Sequence, residues 1–190
     1  MSSAFAYLHQ DEPAGDTLAV IGFTPKRWGR MDRTSRLAVV EVGRALRKAG
    51  LLVDGTGTVQ VTGSGGLIGA SRFGSLATDL AFAATMAAGL NLASPTLFSY
   101  TLPNIALAEA ASHYGLTGPV YSLFSGDPAA AETEAERWLA EESGVDFMVA
   151  GAIDIVPDSA APGLGGLAGE AVAAEIITVN FKIVRPICPR

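Results

Sequence analysis

Cysteine is almost missing from this chain: Cys188, near the end, is the only one. A lone thiol excludes an internal disulfide and any metal site built on clustered cysteines. Histidine is nearly as scarce, with His9 and His113 alone. No uninterrupted apolar run reaches the roughly 18 residues a membrane helix needs. The nearest approach, residues 80–100, is broken by Gly89, Asn91, Ser94 and Pro95, and reads as a buried helix followed by a loop. The opening stretch MSSAFAYLHQDEPAGD has neither a basic n-region nor an apolar h-region, so no secretory signal is expected. The expected compartment is the cytoplasm, with no membrane span.

Apolar residues are plentiful, at 49% of the 190-residue chain against 17% charged. Such a chain forms a core, and one of this size buries roughly 70% of its unfolded surface. A single domain over 1–190 is expected, with 1–16 as a flexible leader, 157–170 as a Gly/Ala/Pro loop and 185–190 as a tail. The net charge is −6, yet eight of the 13 basic residues lie between Lys26 and Lys48. That run has two readings, a solvated helix face or a docking patch for an acidic partner. A nucleic-acid partner is not expected, because the whole chain is acidic and no aromatic residues interleave the basic stripe.

Period and punctuation divide the chain. Residues 17–25, TLAVIGFTP, form an apolar run ended by Pro25 and read as a buried strand. From Asp32 the period becomes helical, with Leu37, Val40, Val42, Ala45 and Leu46 on one face, Arg33, Arg36, Arg44, Arg47 and Lys48 on the other, and Gly50 as the stop. A strand over 58–64, a helix over 72–90 and a helix from Pro103 to Gly115 follow. A strand over 119–125 leads into a helix with Asp127 as its N-cap and Pro128 at its first position. Strands at 146–156 and 175–184 complete the order. Alternation of this kind predicts an α/β layered fold with a mostly parallel, five-stranded sheet covered by helices.

The turn Ser125-Gly126-Asp127-Pro128 raises the question of chemistry, since a strand running into a helix N-terminus is a common mount for a nucleophile. A Ser125/His113/Asp127 triad can be written down, but Ser125 and Asp127 share one turn and nothing orients His113 towards them. The glycine run 63–70 reads G-x-G-G-x-x-G, the wrong spacing for a dinucleotide fingerprint, and is expected to be a flexible turn. Asp154 and Asp158 flank a strand end without histidine partners, so no metal site is expected, and no cofactor either.

Four stretches, in order, resemble one family. Residues 30–51, RMDRTSRLAVVEVGRALRKAGL, look like the early helix of β-ketoacyl synthases. Residues 98–122 are similar to that family's segment before its active-site strand, ending in Gly-Leu-x-Gly-Pro. Residues 146–156 resemble its next strand, and 169–179 the entry to the one after. The resemblance implies one half of the thiolase-like fold, with order βαβαβαββ, and the half carrying the family's catalytic histidines and lysine lies outside this sequence. Aligned on Gly118-Pro119, the family's cysteine nucleophile falls at Asp127, with Ser125 and Gly126 before it. The family needs a thiolate to accept an acyl group, and a capped carboxylate is a poor acyl acceptor. The degenerate position implies a non-catalytic subunit like the chain-length factors of fatty acid, polyketide and aryl-polyene systems, paired with a full-length synthase or with itself. A homodimeric acyl-binding or structural protein is the alternative, followed by a small hydrolase or decarboxylase using Asp127 or Ser125. The resemblance also implies a dimer interface at Val120, Tyr121, Ser122, Leu123 and Phe124, and acyl carrier protein docking at Arg30, Arg33, Arg36, Arg44 and Arg47.

Overall fold

The structure is a computed structural model and describes residues 5–87, 89–141, 144–157 and 175–186. The loop expected at 157–170, apart from Pro157, lies outside the described residues, as do Asp158 and Cys188. The leader is not loose from residue 5 onward. Ala6–His9 form a short 3₁₀ turn whose Tyr7 and Leu8 are core residues.

The run at 17–25 is the first departure. Asp16–Ile21 is a helix, α1, ended by Gly22 at φ +79°. Its buried residues are Thr17 and Ile21, four apart, which is a helical face and not a strand's alternation. A short apolar run does not distinguish the two, and here packing against the next helix decides. That helix, α2, spans Arg33–Lys48, with the Asp32 carboxylate accepting from Ser35 N at 2.9 Å.

Residues expected to open the second sheet strand form a separate hairpin. β1 (Leu52–Gly55) and β2 (Thr58–Val61) pair antiparallel about Thr56-Gly57, with Gly57 at φ +68° supplying the left-handed turn residue. The glycine run behind them is not a turn. Gly65–Ser71 is a strand, β3, buried at all seven positions. Its glycines are there because neighbours occupy the side-chain space. A Cβ at Gly66 would lie 2.5 Å from the Met148 sulfur, and one at Gly69 would lie 2.9 Å from Leu107.

Beyond β3 come α3 (Leu76–Thr85), α4 (Pro95–Phe98) and α5 (Ile105–Tyr114), the last ended by Gly115 at φ +70°. β4 (Val120–Phe124) leads into α6 (Pro128–Glu141), and β5 (Phe147–Pro157) and β6 (Glu175–Val184) follow. The main sheet has the order β4-β3-β5-β6, parallel among the first three strands and antiparallel between β5 and β6. Among the described residues the sheet is therefore four-stranded and not five: the two segments expected to open it became α1 and a detached hairpin, the glycine run supplied β3, and antiparallel β6 makes the sheet mixed.

Alternation along the central strands sorts the core into two layers. Leu67, Phe147, Val149 and Ile153 face α2 and α5. Ile68, Ala70, Met148 and Ala150 face Ala131, Ala135 and Leu139 of α6. The two helices of the first layer, α2 and α5, close on each other at one place: Tyr114 donates from its hydroxyl to Val39 O at 2.7 Å, across the gap left by Gly43.

The stretch 76–102 joins this arrangement only in part, through buried Thr78 and Tyr100. Residues 80–100 were expected to be a buried helix and loop, but Leu80, Leu90, Leu92 and Phe98 are exposed, as is Leu102. The stretch's own packing is slight, with the Phe82 and Phe98 rings 5.5 Å apart. Among the described residues no helix is long and apolar enough to cross a membrane.

Candidate functional site

The parallel strands β3 and β4 end side by side while β5 runs on past them, and the turn carrying Asp127 sits there. Ser125 N donates to Ser71 O at 3.0 Å, so the turn is hung from the end of β3. Asp127 N donates to Ser125 Oγ at 3.1 Å, and Ala129 N donates to Asp127 Oδ1 at 2.9 Å. Pro128 begins α6 and has no N–H to satisfy. Both polar side chains of the turn are thus engaged with its own backbone. Asp127 is exposed and caps the helix.

A buried carboxylate holds the neighbouring loop. Asp154, on β5, accepts from Ser71 Oγ at 2.6 Å and from the backbone N–H groups of Arg72 and Phe73 at 3.1 Å each. Ser71 Oγ in turn accepts from Gly74 N at 2.6 Å. Asp154 therefore serves as a bracket, fixing the path of the chain after β3. Sequence reasoning weighed it only as a metal ligand; the missed signal is an acid at a strand end, which must find donors if buried. Among the described residues no cluster of three or more His, Cys, Asp or Glu is arranged to hold a metal ion.

His113 is not brought to this turn. It lies late in α5, which leads back to the start of β4, so it stands at the opposite end of the sheet from Ser125. There its ring stacks on Phe23 at 4.5 Å, and Nε2 faces Ile21 O at 2.8 Å. Burial pulls its pKa below the ordinary value, only partly offset by that hydrogen bond. The triad is absent.

Val120, Tyr121, Ser122, Leu123 and Phe124 form an outer strand of the sheet, and among the described residues β4 pairs only with β3. The strand is anchored to α6 through its inner face. Trp138 Nε1 donates to Tyr121 Oη at 2.6 Å, and Tyr121 donates to Glu134 Oε1 at 2.5 Å. Arg137 grips Glu134 with two N–H groups and Glu141 with a third. Hydrogen bonds from Arg137 first, then from Tyr121, hold the Glu134 carboxyl down to about 2. At the other end of the strand Phe124 is 86% exposed, beside the Asp127 turn.

The basic face expected on α2 is divided by the fold. Arg36 is buried: Nε donates to Trp28 O at 3.2 Å, and Nη1 to Leu8 O at 3.0 Å and Gln10 O at 2.9 Å. It therefore pins the N-terminal turn to α2 and is unavailable to a partner, contrary to the docking role expected for it. Arg47 reaches Val20 O and both oxygens of Asp54, tying α1, α2 and the hairpin together. Arg44 donates to Glu41 at 2.6 Å and lies over the Tyr7 ring. Arg30 is exposed, and Arg33 is half-buried at the head of α2.

Residues 8–161 match the family described as the β-ketoacyl synthase N-terminal domain. The chain belongs to this family. No curated protein matches its sequence. Among solved structures it is similar to the ishigamide ketosynthase/chain length factor, with a TM-score of 0.65 at 17% identity. That match covers 92% of this chain and 49% of the other, so the chain spans about half the length of the structure it resembles. The likeness is one of fold: a synthase half with its strand–turn–helix at the end of β4.

Proposed function

We propose that this chain is a non-catalytic synthase-like subunit, of chain-length-factor type, which pairs in the cytoplasm with a competent condensing enzyme of fatty acid, polyketide or aryl-polyene type. One observation carries the reading: at the head of α6, where the family's alignment expects the thiol, stands Asp127, capping the helix through Ala129 N. Acyl transfer to an enzyme needs a nucleophile that can form a thioester and later release it. A carboxylate accepting a helix-end N–H, preceded by a serine whose oxygen serves the same turn, offers no such group.

The pairing surface is proposed to be the outer strand β4, Val120 to Phe124, together with the exposed apolar residues of 76–102. An open strand edge beside an apolar patch is a liability unless covered. Acyl carrier protein docking is proposed on the basic segment through Arg30, Arg33 and Arg44, with Arg36 and Arg47 withdrawn into contacts within the chain.

Incubation with acyl carrier thioesters, followed by intact-mass measurement, is the direct test. No adduct is expected. A stable acyl adduct on Asp127 or Ser125 would overturn the non-catalytic reading. Light scattering at micromolar concentration, with and without a co-expressed synthase, tests the pairing. A monodisperse monomer under both conditions defeats it, and a homodimer indifferent to the synthase supports the acyl-binding alternative.

A further inference from the structure

The excursion between β3 and α5 leaves the body and returns to it at one point. Ser75 Oγ donates to Thr101 O at 2.8 Å, and a Cβ on Gly74, at φ +59°, would lie 3.2 Å from Pro103 Cγ. This root is fixed from below. Gly74 N donates to Ser71 Oγ at 2.6 Å, inside the Asp154 bracket, and the buried Tyr100 donates to Glu109 Oε1 at 3.2 Å. Beyond the root the stretch bonds within itself. Thr85 Oγ1 donates to Phe82 O at 2.7 Å and accepts from Ser94 N at 3.1 Å, beside the Phe82–Phe98 ring contact. Among the described residues α3 buries Thr78 alone and α4 buries none. A short hydrogen bond holds α3 to the body: Thr78 Oγ1 donates to Asp32 Oδ2 at 2.6 Å, while Asp32 Oδ1 caps α2. Ala77 packs on the core, and α3 lies against β5. Beside the Thr78 contact a cleft of about 220 Å³ stays open between the head of α2 and the excursion, lined by Met31, Arg36, Ala77, Ala81 and Leu97.

We propose that residues 76–99 are a lid, hinged at Gly74 and Pro103 and latched by Thr78 on Asp32, which opens as one unit over the cleft at the head of α2. A segment that buries little opens locally at a free energy well below that of the whole fold. Glycine at the hinge absorbs the backbone change that such a motion needs. The Asp32 carboxylate divides two tasks between its oxygens, so releasing Thr78 leaves the α2 cap in place. The latch is separable from the fold beneath it. Opening uncovers Met31 and the Asp32 carboxylate; closing returns Ala77, Ala81 and Leu97 above them.

Native-state hydrogen exchange on the full chain, read by mass spectrometry, tests this with Thr78→Val and Thr78→Ser, each checked by thermal melting. Losing a hydroxyl bonded to a carboxylate is expected to raise lid opening about tenfold. In Thr78→Val the hydrogen-bonded amides of α3 and α4 should therefore exchange faster by that factor, and by the same factor in both helices. β3, β5 and the first turn of α2 should keep their protection. Thr78→Ser, which retains the hydroxyl, should exchange like the unaltered chain. Faster exchange in α3 alone would overturn the single unit. An equal rise in β3 and β5 would overturn the lid, by placing 76–99 within the core's own unfolding. No change in Thr78→Val, or the same change in Thr78→Ser, overturns the latch. A Thr78→Val chain that fails to fold overturns the claim that the lid is separable.

Discussion

Two apolar stretches of this chain meet opposite fates. Residues 65–71, GGLIGAS, contain three glycines and are buried at every position. Residues 76–102 contain more leucine and phenylalanine, yet Leu90 is 81% exposed and Phe98 is 62% exposed. The hydrophobic effect states that apolar area leaves water; it does not say which element covers it. β3 is covered because glycines let Phe147, Met148 and Leu107 close over it from both faces. The 76–102 excursion carries longer side chains but has no layer above it among the described residues. Its leucines and phenylalanines stay largely exposed, whereas β3 belongs to the interior.

The largest effect is expected where the covered region is hollowed. Phe147→Ala removes a fully buried ring and should cost about 3–5 kcal/mol, read as a lower urea midpoint at unchanged slope. A loss under about 1 kcal/mol would mean that β3 and β5 are less closely packed than described. Overpacking comes next. A Cβ at Gly43 would lie 2.8 Å from Tyr114 Cζ, so Gly43→Ala should expel the phenol from Val39 O and cost about 1–3 kcal/mol. Pairing it with Tyr114→Phe should recover part of that loss, since the double variant removes the obstructed hydroxyl.

The bracket behind the candidate turn is expected to be next in size. Asp154→Asn keeps one acceptor oxygen where three donors converge, so about 1–3 kcal/mol is expected. Hydrogen exchange should rise at Arg72 and Phe73 before it rises in β5. The converse holds for the uncovered region. Leu90→Ser with Phe98→Ser should change the stability of the isolated chain by less than about 0.5 kcal/mol while weakening self-association or synthase capture. An unfolded double variant would show that 76–102 is part of the core after all.

The smallest effect is expected in acid. Glu134 has a folded pKa held down to about 2 from an ordinary 4.5. A depressed carboxyl stabilises the fold above its unfolded pKa, and that contribution is lost as pH falls from about 4.5 towards 2. The pair with Arg137 is at the surface, so solvent screens it and the change is small. Glu134→Gln should flatten the acid limb of stability in that window, its small loss being fully present at neutral pH and vanishing towards pH 2.

Local chemistry made several elements legible. Asp32 and Asp127 cap helices as their positions imply, Gly50 and Gly115 adopt the left-handed conformation that ends them, and α2 forms where its helical period places it, although residues 34–40 are buried on every side. Periodicity failed at 17–25, where six residues are too few to separate helix from strand. It failed more instructively at 63–70. A glycine-rich run reads as a turn when its neighbours are unknown, and as a central strand once large side chains from β5 and α5 claim the space above it.

The sequence by itself determined the element types with strong caps and periods, the identity of the group at the head of α6, and the resemblance that names the family. These rest on contacts within a few residues, or on residue identity alone. Only the tertiary structure decided that Arg36 is interior, that Asp154 is a bracket, that His113 stands away from Ser125 and that Leu90, Leu92, Phe98 and Leu102 are exposed. Apart from the Arg36–Trp28 contact, each depends on partners 26 or more positions away, or on the absence of an overlying layer among the described residues. Burial and hydrogen bonding at that range are set by how strands and helices stack, which no local pattern encodes.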